Sequence, residues 1–538
     1  MKRQLYTNGT ILTMDDAAPR AEAVLVEDGI IRAVGSLTEL ADLATGAETI
    51  DLEGHTLLPG FIDSHSHISM ACLFPRFSPP PVGDIDSLEK LEQALHEELA
   101  AHPPKEGAWF IGMGYDNALF EGGAHPTAHD LDRVSSEIPL LLMHASSHVG
   151  VLNSRALELS GITRDTPDPD GGIICRDENG EPTGVLEESA ITAVLARQAA
   201  TSMTPEFLVQ TLVQAQDLYA SHGITTAQEG CTAEPLVKLL QGMGLAGKLK
   251  IDICAYPGLD GLKDLDAIPA YDETRYAHHF RVGGVKLLLD GSPQAKTAWL
   301  SQPYHIVPEG RDAGYRGYPS YSDEQALAFM HTAAEHRWQV LAHCNGDAAS
   351  EQYLDAYEQA YGTGSDARCV MVHAQTVRED QLDRMEELGM LPTFFHDHTF
   401  YWGDYHLDSV LGPERGRRIS PLASALRRGM TFTLHQDTPV VPPDMVFSLH
   451  NAVNRTTRAG RDIGPEFAVD VDTALKALTI WAAYQYHEED TKGSIAPGKL
   501  ADFAILDRDP HTVAQEQLKD LSVLATIKEG TFVYRARG

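Results

Sequence analysis

Membrane-length apolar runs, clustered cations and closely spaced cysteines are all missing from this chain, and each absence removes a class of function. No stretch of the 538 residues approaches the ~18 uninterrupted apolar residues of a membrane span. The opening "MKRQLYTNGTILTM" has neither the apolar core nor the small-residue cleavage site of a secretory signal, because Thr7-Asn8-Gly9 interrupts it. A cytoplasmic protein with no membrane partner is expected. Cations are scarce: 42 Lys and Arg stand against 77 Asp and Glu, a formal net charge of −35. Nucleic acid is therefore excluded as a partner, since its binding needs clustered Lys and Arg to displace counterions. The six cysteines lie far apart with no CxxC, several of them in strand-like apolar runs ("KIDICAY", "RCVMVHA"). Buried thiols in a reducing compartment are the expectation. Cys344 adjoins His343, but neighbours on a strand face opposite ways, so it is not expected to act as a nucleophile.

What remains is an ordinary globular composition, 43% apolar and 22% charged, on a chain long enough for one large domain with an accessory one. Residues 1–58 read as short β runs, with Asn8-Gly9 and Asp28-Gly29 as hairpin turns. Residues 491–538 repeat that pattern ("GSIAPGKLADFAILDRDP", "LATIKEGTFVYRAR"), which suggests one small β-sandwich assembled from both termini. Between them, strand-like runs at 60–67, 223–230, 248–258, 283–292, 338–347, 368–377, 390–399 and 430–440 alternate with helical segments such as the one beginning at Ser322. Strand–helix alternation implies a parallel sheet, and eight such strands would close an α/β (β/α)₈ TIM-like barrel over 59–490. The first crossover, about 71–222, is too long for one helix and reads as a large insertion after strand 1. It contains "GAWFIGMGYDN" and "IPLLLMHASSHVGVLNSRAL".

The ends of those strands carry the chemistry. "FIDSHSH" finishes with His65 and His67, one residue apart, so both imidazoles leave the same face of the strand. Lys286 sits in the fourth run, His343 in the fifth, His373 in the sixth and Asp437 in the eighth. The steps of 30 and 64 residues from 343 to 373 and from 373 to 437 are about one and two strand–helix units. Taken singly, each residue has an ordinary explanation as a strand-end hydrogen-bonding group. Lys286 resists it, because a lysine in "GVKLLLD" would be buried unpaired at a cost of several kcal/mol. Four imidazoles and a carboxylate form a ligand set for Zn²⁺ or another first-row divalent ion. Should Lys286 take up CO₂ as a carbamate, it becomes a carboxylate able to bridge two ions.

These features resemble the amidohydrolase superfamily of metal-dependent barrel hydrolases. "LLPGFIDSHSH", "GITT", "HCNGDAA", "HQDTPV" and "KGSIAPGKLADFAILDRDP" match its pattern over nearly the whole chain. "PTAHDLDRVSSEIPLLLMHASSHVGVLNSRALELSGI", "GEPTGVLEE" and "FYWGDYHLDSVLGPERGRRISP" are similar to the amidohydrolase-3 (YtcJ-like) group, nearest its N-substituted formamide deformylase branch. The resemblance implies that His65, His67, His343, His373 and Asp437 bind one or two metal ions. Lys286 is then the carboxylated bridge, with Glu229 of "GITTAQEG" as the alternative bridging ligand. It further implies hydrolysis of a non-peptide C–N bond by a metal-activated water, with Asp437 as the base.

The expected substrate is a small amide, neutral and partly apolar, because Trp109, Phe400, Tyr401 and Trp402 give the loops an aromatic character. His148, Asn153, His396 and His398 are candidate oxyanion donors, Tyr115 a candidate substrate cover, and Asp347 a helix cap. Two readings stay open beside this one: a mononuclear deaminase or cyclic amide hydrolase of the same superfamily, and a catalytically inactive scaffold barrel. Assembly as a homo-oligomer, joined through the terminal sandwich, is compatible with the sequence.

Overall fold

The computed structural model describes residues 2–74, 85–202, 204–258, 268–308 and 310–537. Residues 75–84 of the expected insertion lie outside them. Among the described residues no helix is long and apolar enough to cross a membrane.

Each of the eight expected middle strands overlaps an observed one. β1 (Phe61–Ile62), β2 (Ile224–Thr232), β3 (Asp252–Pro257) and β4 (Phe280–Val282) form one parallel sheet in sequence order. β5 (Val285–Leu288), β6 (Val340–Cys344), β7 (Val370–His373), β8 (Leu391–Phe394) and β9 (Thr433–Leu434) form a second. The expected fourth strand is preceded by a separate short one, because Gly283-Gly284 breaks the run between β4 and β5. A side chain on Gly284 would lie 2.1 Å from the carbonyl oxygen of Gln339. A parallel bridge from Gly258 to Lys286 joins the two sheets.

Helices follow most of these strands and bury one face against them, with Phe61, Ile253, Leu287, Val340, Met371 and Phe394 meeting Leu212, Met330, Tyr353 and Leu382 in one core. The local signals are those the sequence carries. Ser322 caps Asp323–Glu335 with a reciprocal bond to Gln325. Gly389, at φ 68°, ends Glu379–Leu388 in the left-handed conformation.

The two chain ends build one eight-stranded sheet, in which Thr56–Pro59 pairs antiparallel with Phe503–Leu506. That ladder stops just before β1, so the paired termini aim the strand that carries His65 and His67. Asp28-Gly29 makes the expected tight turn between Arg20–Glu27 and Ile30–Gly35, with both residues at positive φ. Asn8-Gly9 does not. It lies within the strand Arg3–Leu12 at a break in register, as a bulge, and a side chain at Gly9 would stand 2.3 Å from the His55 carbonyl oxygen. A buried ionic cluster fastens this sheet to the core: Lys528 Nζ donates to Asp252 Oδ2 and Asp502 Oδ2, both at 2.8 Å, and Lys492 pairs with the same Asp252 oxygen.

Within the expected insertion, Phe110–Tyr115, Leu140–His144, Val149–Leu152, Gly172–Arg176 and Pro182–Glu188 form a further five-stranded sheet. No disulfide joins the six cysteines. Cys254, Cys344 and Cys369 are buried as expected, whereas Cys231 is exposed. Cys344 packs into the core and away from the site, as its strand position predicts.

Candidate functional site

Four imidazoles converge at the C-terminal ends of the parallel strands, and the hydrogen bonds behind three of them indicate which nitrogen faces inward. The Gln228 amide nitrogen donates to Ser64 O and to the Tyr486 hydroxyl, both at 2.7 Å, so its oxygen must accept from His65 Nδ1 at 2.5 Å. A carbonyl only accepts. His67 Nδ1 therefore donates to Gly230 O at 2.8 Å, and His343 Nε2 donates to Gly291 O at 3.1 Å, beside the Asn345 amide nitrogen, which is 3.0 Å from that Nε2 and donates to the same carbonyl at 2.9 Å. Each ring consequently turns a lone pair toward a common centre.

His65 Nε2 lies 3.3 Å and His67 Nε2 3.4 Å from Asp437 Oδ1. Lys286 Nζ donates to His65 Nε2 at 2.9 Å. His343 Nδ1 is 2.9 Å from His373 Nε2, whose other nitrogen contacts His435 Nε2 at 3.0 Å. Asp437 Oδ1 is buried without a hydrogen-bond partner. His373 and Asp437 both hold positive φ, 73° and 53°, a conformation non-glycine residues keep only where the surroundings enforce it.

The electrostatics suit a cation. Burial drives His65, His343 and His373 well below the usual imidazole range, so they present neutral nitrogens. Burial would also raise Asp437, but contact with His67 overcomes it and holds the carboxyl far below its ordinary range, while the same contact, against burial, raises His67. Burial lowers Lys286 to about 8. A ligand atom each from His65, His373 and Asp437 lie within 4.8 Å of one another. Neutral imidazoles, an orphaned carboxylate oxygen and a deprotonatable lysine fit Zn²⁺ or a similar divalent ion. Among the described residues the other such cluster, Asp252, His279 and Glu529, is already neutralised by Lys492 and Lys528.

The ring opens into a cavity of about 940 Å³. His65, His67, Lys286, His343, His373, Asp437 and His148 all line it, as do Met70, Met143, Leu195, Leu288 and Val440. His148, from the insertion, packs against the His343 ring at 4.9 Å between centroids. Its Nδ1 donates to Glu188 Oε2 at 2.7 Å, leaving Nε2 for the cavity. Burial would lower this imidazole, but the Glu188 charge raises it.

Other expected site residues stand elsewhere. The Glu229 carboxylate accepts from the backbone N–H and hydroxyl of Ser69, at 2.8 and 2.9 Å, and does not line the cavity. The Tyr115 hydroxyl is bonded to His125 Nδ1 at 2.8 Å inside the insertion's own core. Asn153 caps the helix Ser154–Ser160 and ties it to Leu140, Ser135 and Ile138. His396 bonds to the carbonyl of Ser448, and His398 to His406 and Gln294. All four are buried and contribute nothing to the cavity wall. Tyr401 and Trp402 pack with Phe395 and Phe447 in a separate apolar cluster and do not line the cavity, whose aromatic rings are Tyr321 and the imidazoles. Asp347 does not cap its helix: it opens Asp347–Tyr361 and accepts from the Ser301 backbone N–H at 2.8 Å.

Sequence reasoning passed over His435, Gln228 and Glu188. His435 stands two residues before Asp437 in "HQDTPV", the same alternation that singles out His65 and His67.

Comparison with known proteins gives a consistent picture. The family model described as "Amidohydrolase family" matches residues 48–534. The chain is 30% identical to an N-substituted formamide deformylase of Arthrobacter pascens, covering 100% of this chain and 99% of that protein. It is 28% identical to the putative amidohydrolase YtcJ of Bacillus subtilis (strain 168), over 99% of each. Among solved structures, an uncharacterized metal-dependent hydrolase from Pyrococcus furiosus aligns with TM-score 0.72 and 26% identity over 94% of this chain and 99% of that one. Its counterpart from Pyrococcus horikoshii OT3 aligns at 0.75 and 24%, over 96% and 99%.

Proposed function

The chain belongs to the amidohydrolase family, and from that premise we propose that it hydrolyses a small non-peptide amide, with an N-substituted formamide as the leading substrate. The observation that carries this reading is the ring of inward lone pairs around the partnerless Asp437 oxygen, at the floor of a cavity large enough for a substituted amide.

His65, His67, His343, His373 and Asp437 would hold the metal, Zn²⁺ or another first-row divalent ion. Lys286 would bridge two ions once CO₂ converts its neutral amine, with loss of a proton, to a carbamate. A bound divalent ion supplies a water of lowered pKa and polarises the carbonyl. Asp437 accepts the proton of the attacking water and returns it to the departing nitrogen, which cannot leave as an anion. His148, braced by Glu188 beside the His343 ring, directs Nε2 at the substrate.

Substrate class follows from the lining. No arginine is among the described lining residues, and Asp170, Glu188 and Asp290 add acidic groups, so polyanions are disfavoured. Met70, Met143, Leu195 and Val440 suit the apolar substituent of the amine. The relative named N-substituted formamide deformylase supports this choice among amides. We read the two parallel sheets as halves of one closed (β/α)₈ barrel spanning 59–490, with 1–58 and 491–538 as the terminal β unit and 71–222 as the insertion. We place the enzyme in the cytoplasm, which suits six cysteines without a disulfide.

A hydrolysis screen of the metal-loaded protein over formamides, acylamides, cyclic ureas and aminopyrimidines tests the assignment. Formate and a primary amine in equal amounts are expected; ammonia released from a ring with formamides untouched overturns it.

A further inference from the structure

We infer that His435, Thr393 and Ser64 form a hydrogen-bonded relay that sets which nitrogen of His373 faces the metal position; this rests on the metal-centre reading above. The direction of every hydrogen follows from one carbonyl. Leu434 O can only accept, so Ser64 Oγ, 2.9 Å away, directs its single hydrogen there. Thr393 Oγ1, 3.0 Å from Ser64 Oγ, must then donate to it. That leaves Thr393 as the acceptor for His435 Nδ1 at 3.0 Å.

His435 is fully buried, and its two nitrogens touch only a hydroxyl and another imidazole. In a neutral imidazole the single hydrogen spent on Thr393 leaves the lone pair on Nε2. His373 Nδ1, 3.0 Å away, is therefore the donor of that contact.

The consequence lies on the other side of the His373 ring. Its lone pair is left on Nε2, 2.9 Å from His343 Nδ1, and the His343 hydrogen points away toward Gly291. Two lone pairs face each other at hydrogen-bonding distance with no hydrogen between them. Alone they repel; against a cation both attract. Without the relay, His373 could place its hydrogen on Nε2 and donate it to His343, closing the site to metal. His435 is thus a positioning residue, acting through His373, and Thr393 and Ser64 hold it in the required tautomer.

The test uses the full-length protein, stripped of metal and titrated with Zn²⁺ and Co²⁺ alone in competition with a chelator, with no substrate present. Thr393→Val keeps the side-chain shape but removes the hydroxyl, and should weaken binding about 10-fold; His435→Phe should weaken it about 10–100-fold. Both should alter the visible absorption of the Co²⁺ form, while Thr393→Val leaves the metal-free melting temperature near that of the parent. His435→Gln offers an amide oxygen to His373 Nδ1 and should recover part of the loss. Parental affinity and Co²⁺ spectrum in both Thr393→Val and His435→Phe overturn the inference. A parent protein that binds neither ion overturns the metal-centre reading itself, whereas a wrongly chosen amide affects neither result.

Discussion

Lys528→Met should destabilise the protein while leaving the metal centre of the folded molecules intact. Lys528 is 3% exposed and sits between Asp252 and Asp502, themselves 2% and 5% exposed. Its ammonium is 2.8 Å from an oxygen of each. Methionine fills the same space but removes the charge. Asp252 keeps Lys492 and His279, whereas Asp502 retains one bond, from the Glu529 backbone N–H at 2.8 Å. Stranding a buried carboxylate costs about 3–5 kcal/mol. At ~2.1 cal/mol/K per residue, unfolding 538 residues together carries about 1.1 kcal/mol/K, so the melting temperature should fall by about 3–4 °C.

The pH dependence has a definite sign. Burial would raise Asp252, but Lys492 and Lys528 lower it well below the usual range, so its contribution is present above about pH 4 and lost on acidification through the folded value. Burial would lower Lys528, but Asp252 and Asp502 raise it, so its contribution is full below about pH 10 and lost as pH rises beyond that. The gap between parent and variant, measured by calorimetry, should be widest from about pH 5 to 9. Adding Asp502→Asn removes the stranded charge and should restore part of the loss. A Lys528→Met protein that melts at or above the parent at pH 7 would refute the reasoning.

Asp437→Asn should fold and keep much of its metal while turnover falls about 10²–10⁴-fold, the usual contribution of a positioned base; rates within tenfold of the parent would remove Asp437 from that role. Chelation should abolish hydrolysis and lower the melting temperature, with stability regained by about 2.7 kcal/mol when free ion reaches 100 times its dissociation constant. Undiminished activity in stripped protein contradicts the metal reading. Glu188→Ala removes the charged acceptor 2.7 Å from His148 and should cut kcat/KM about 10–100-fold with metal content unchanged. Glu188→Gln, which still accepts the bond, should lose less, and equal losses would assign Glu188 to packing alone.

How legible each part was in the sequence follows from what a linear pattern can encode. Strand alternation put His65 and His67 on one face, and the cost of burying an unpaired ammonium singled out Lys286; both lie in the ring. The same alternation joins His435 to Asp437, yet a lone histidine in an apolar run does not announce which partner lies behind it. Asn153 carried a readable signal, since Asn before "SRALELS" is an N-cap, and its side chain does accept from Ala156 N. His396 and His398 stand back from the cavity because a residue following a strand can turn toward the rim or back into the core. Theirs turn back, toward Ser448 and His406. Asn8-Gly9 carried a hairpin signature, but its glycine answers the approach of the His55 backbone instead. Local chemistry was legible; the identity of a distant neighbour was not.

The sources of the cavity wall separate chemistry from selectivity. The ring residues follow β1, lie in β5 and β6, end β7 or follow β9, so their geometry is set by the parallel sheets and by the terminal sheet that aims β1. Met143, His148, Glu188 and Leu195 reach the same cavity from the five-stranded sheet of the insertion and the helix after it. The insertion can therefore change what the cavity admits without moving a ring nitrogen. Glu188 couples the two. It holds positive φ, braces His148 against the His343 ring, and fits because Gly291 has no side chain, since a Cβ there would lie 2.1 Å from Glu188 Oε1. Gly291 also supplies the carbonyl that orients His343. A single glycine thus seats both the imidazole that would hold metal and the carboxylate that positions the insertion's histidine. Gly291→Ala should displace Glu188, lowering turnover more than it lowers metal affinity, and a loss confined to metal binding would show that the two halves of the site are not joined at this point.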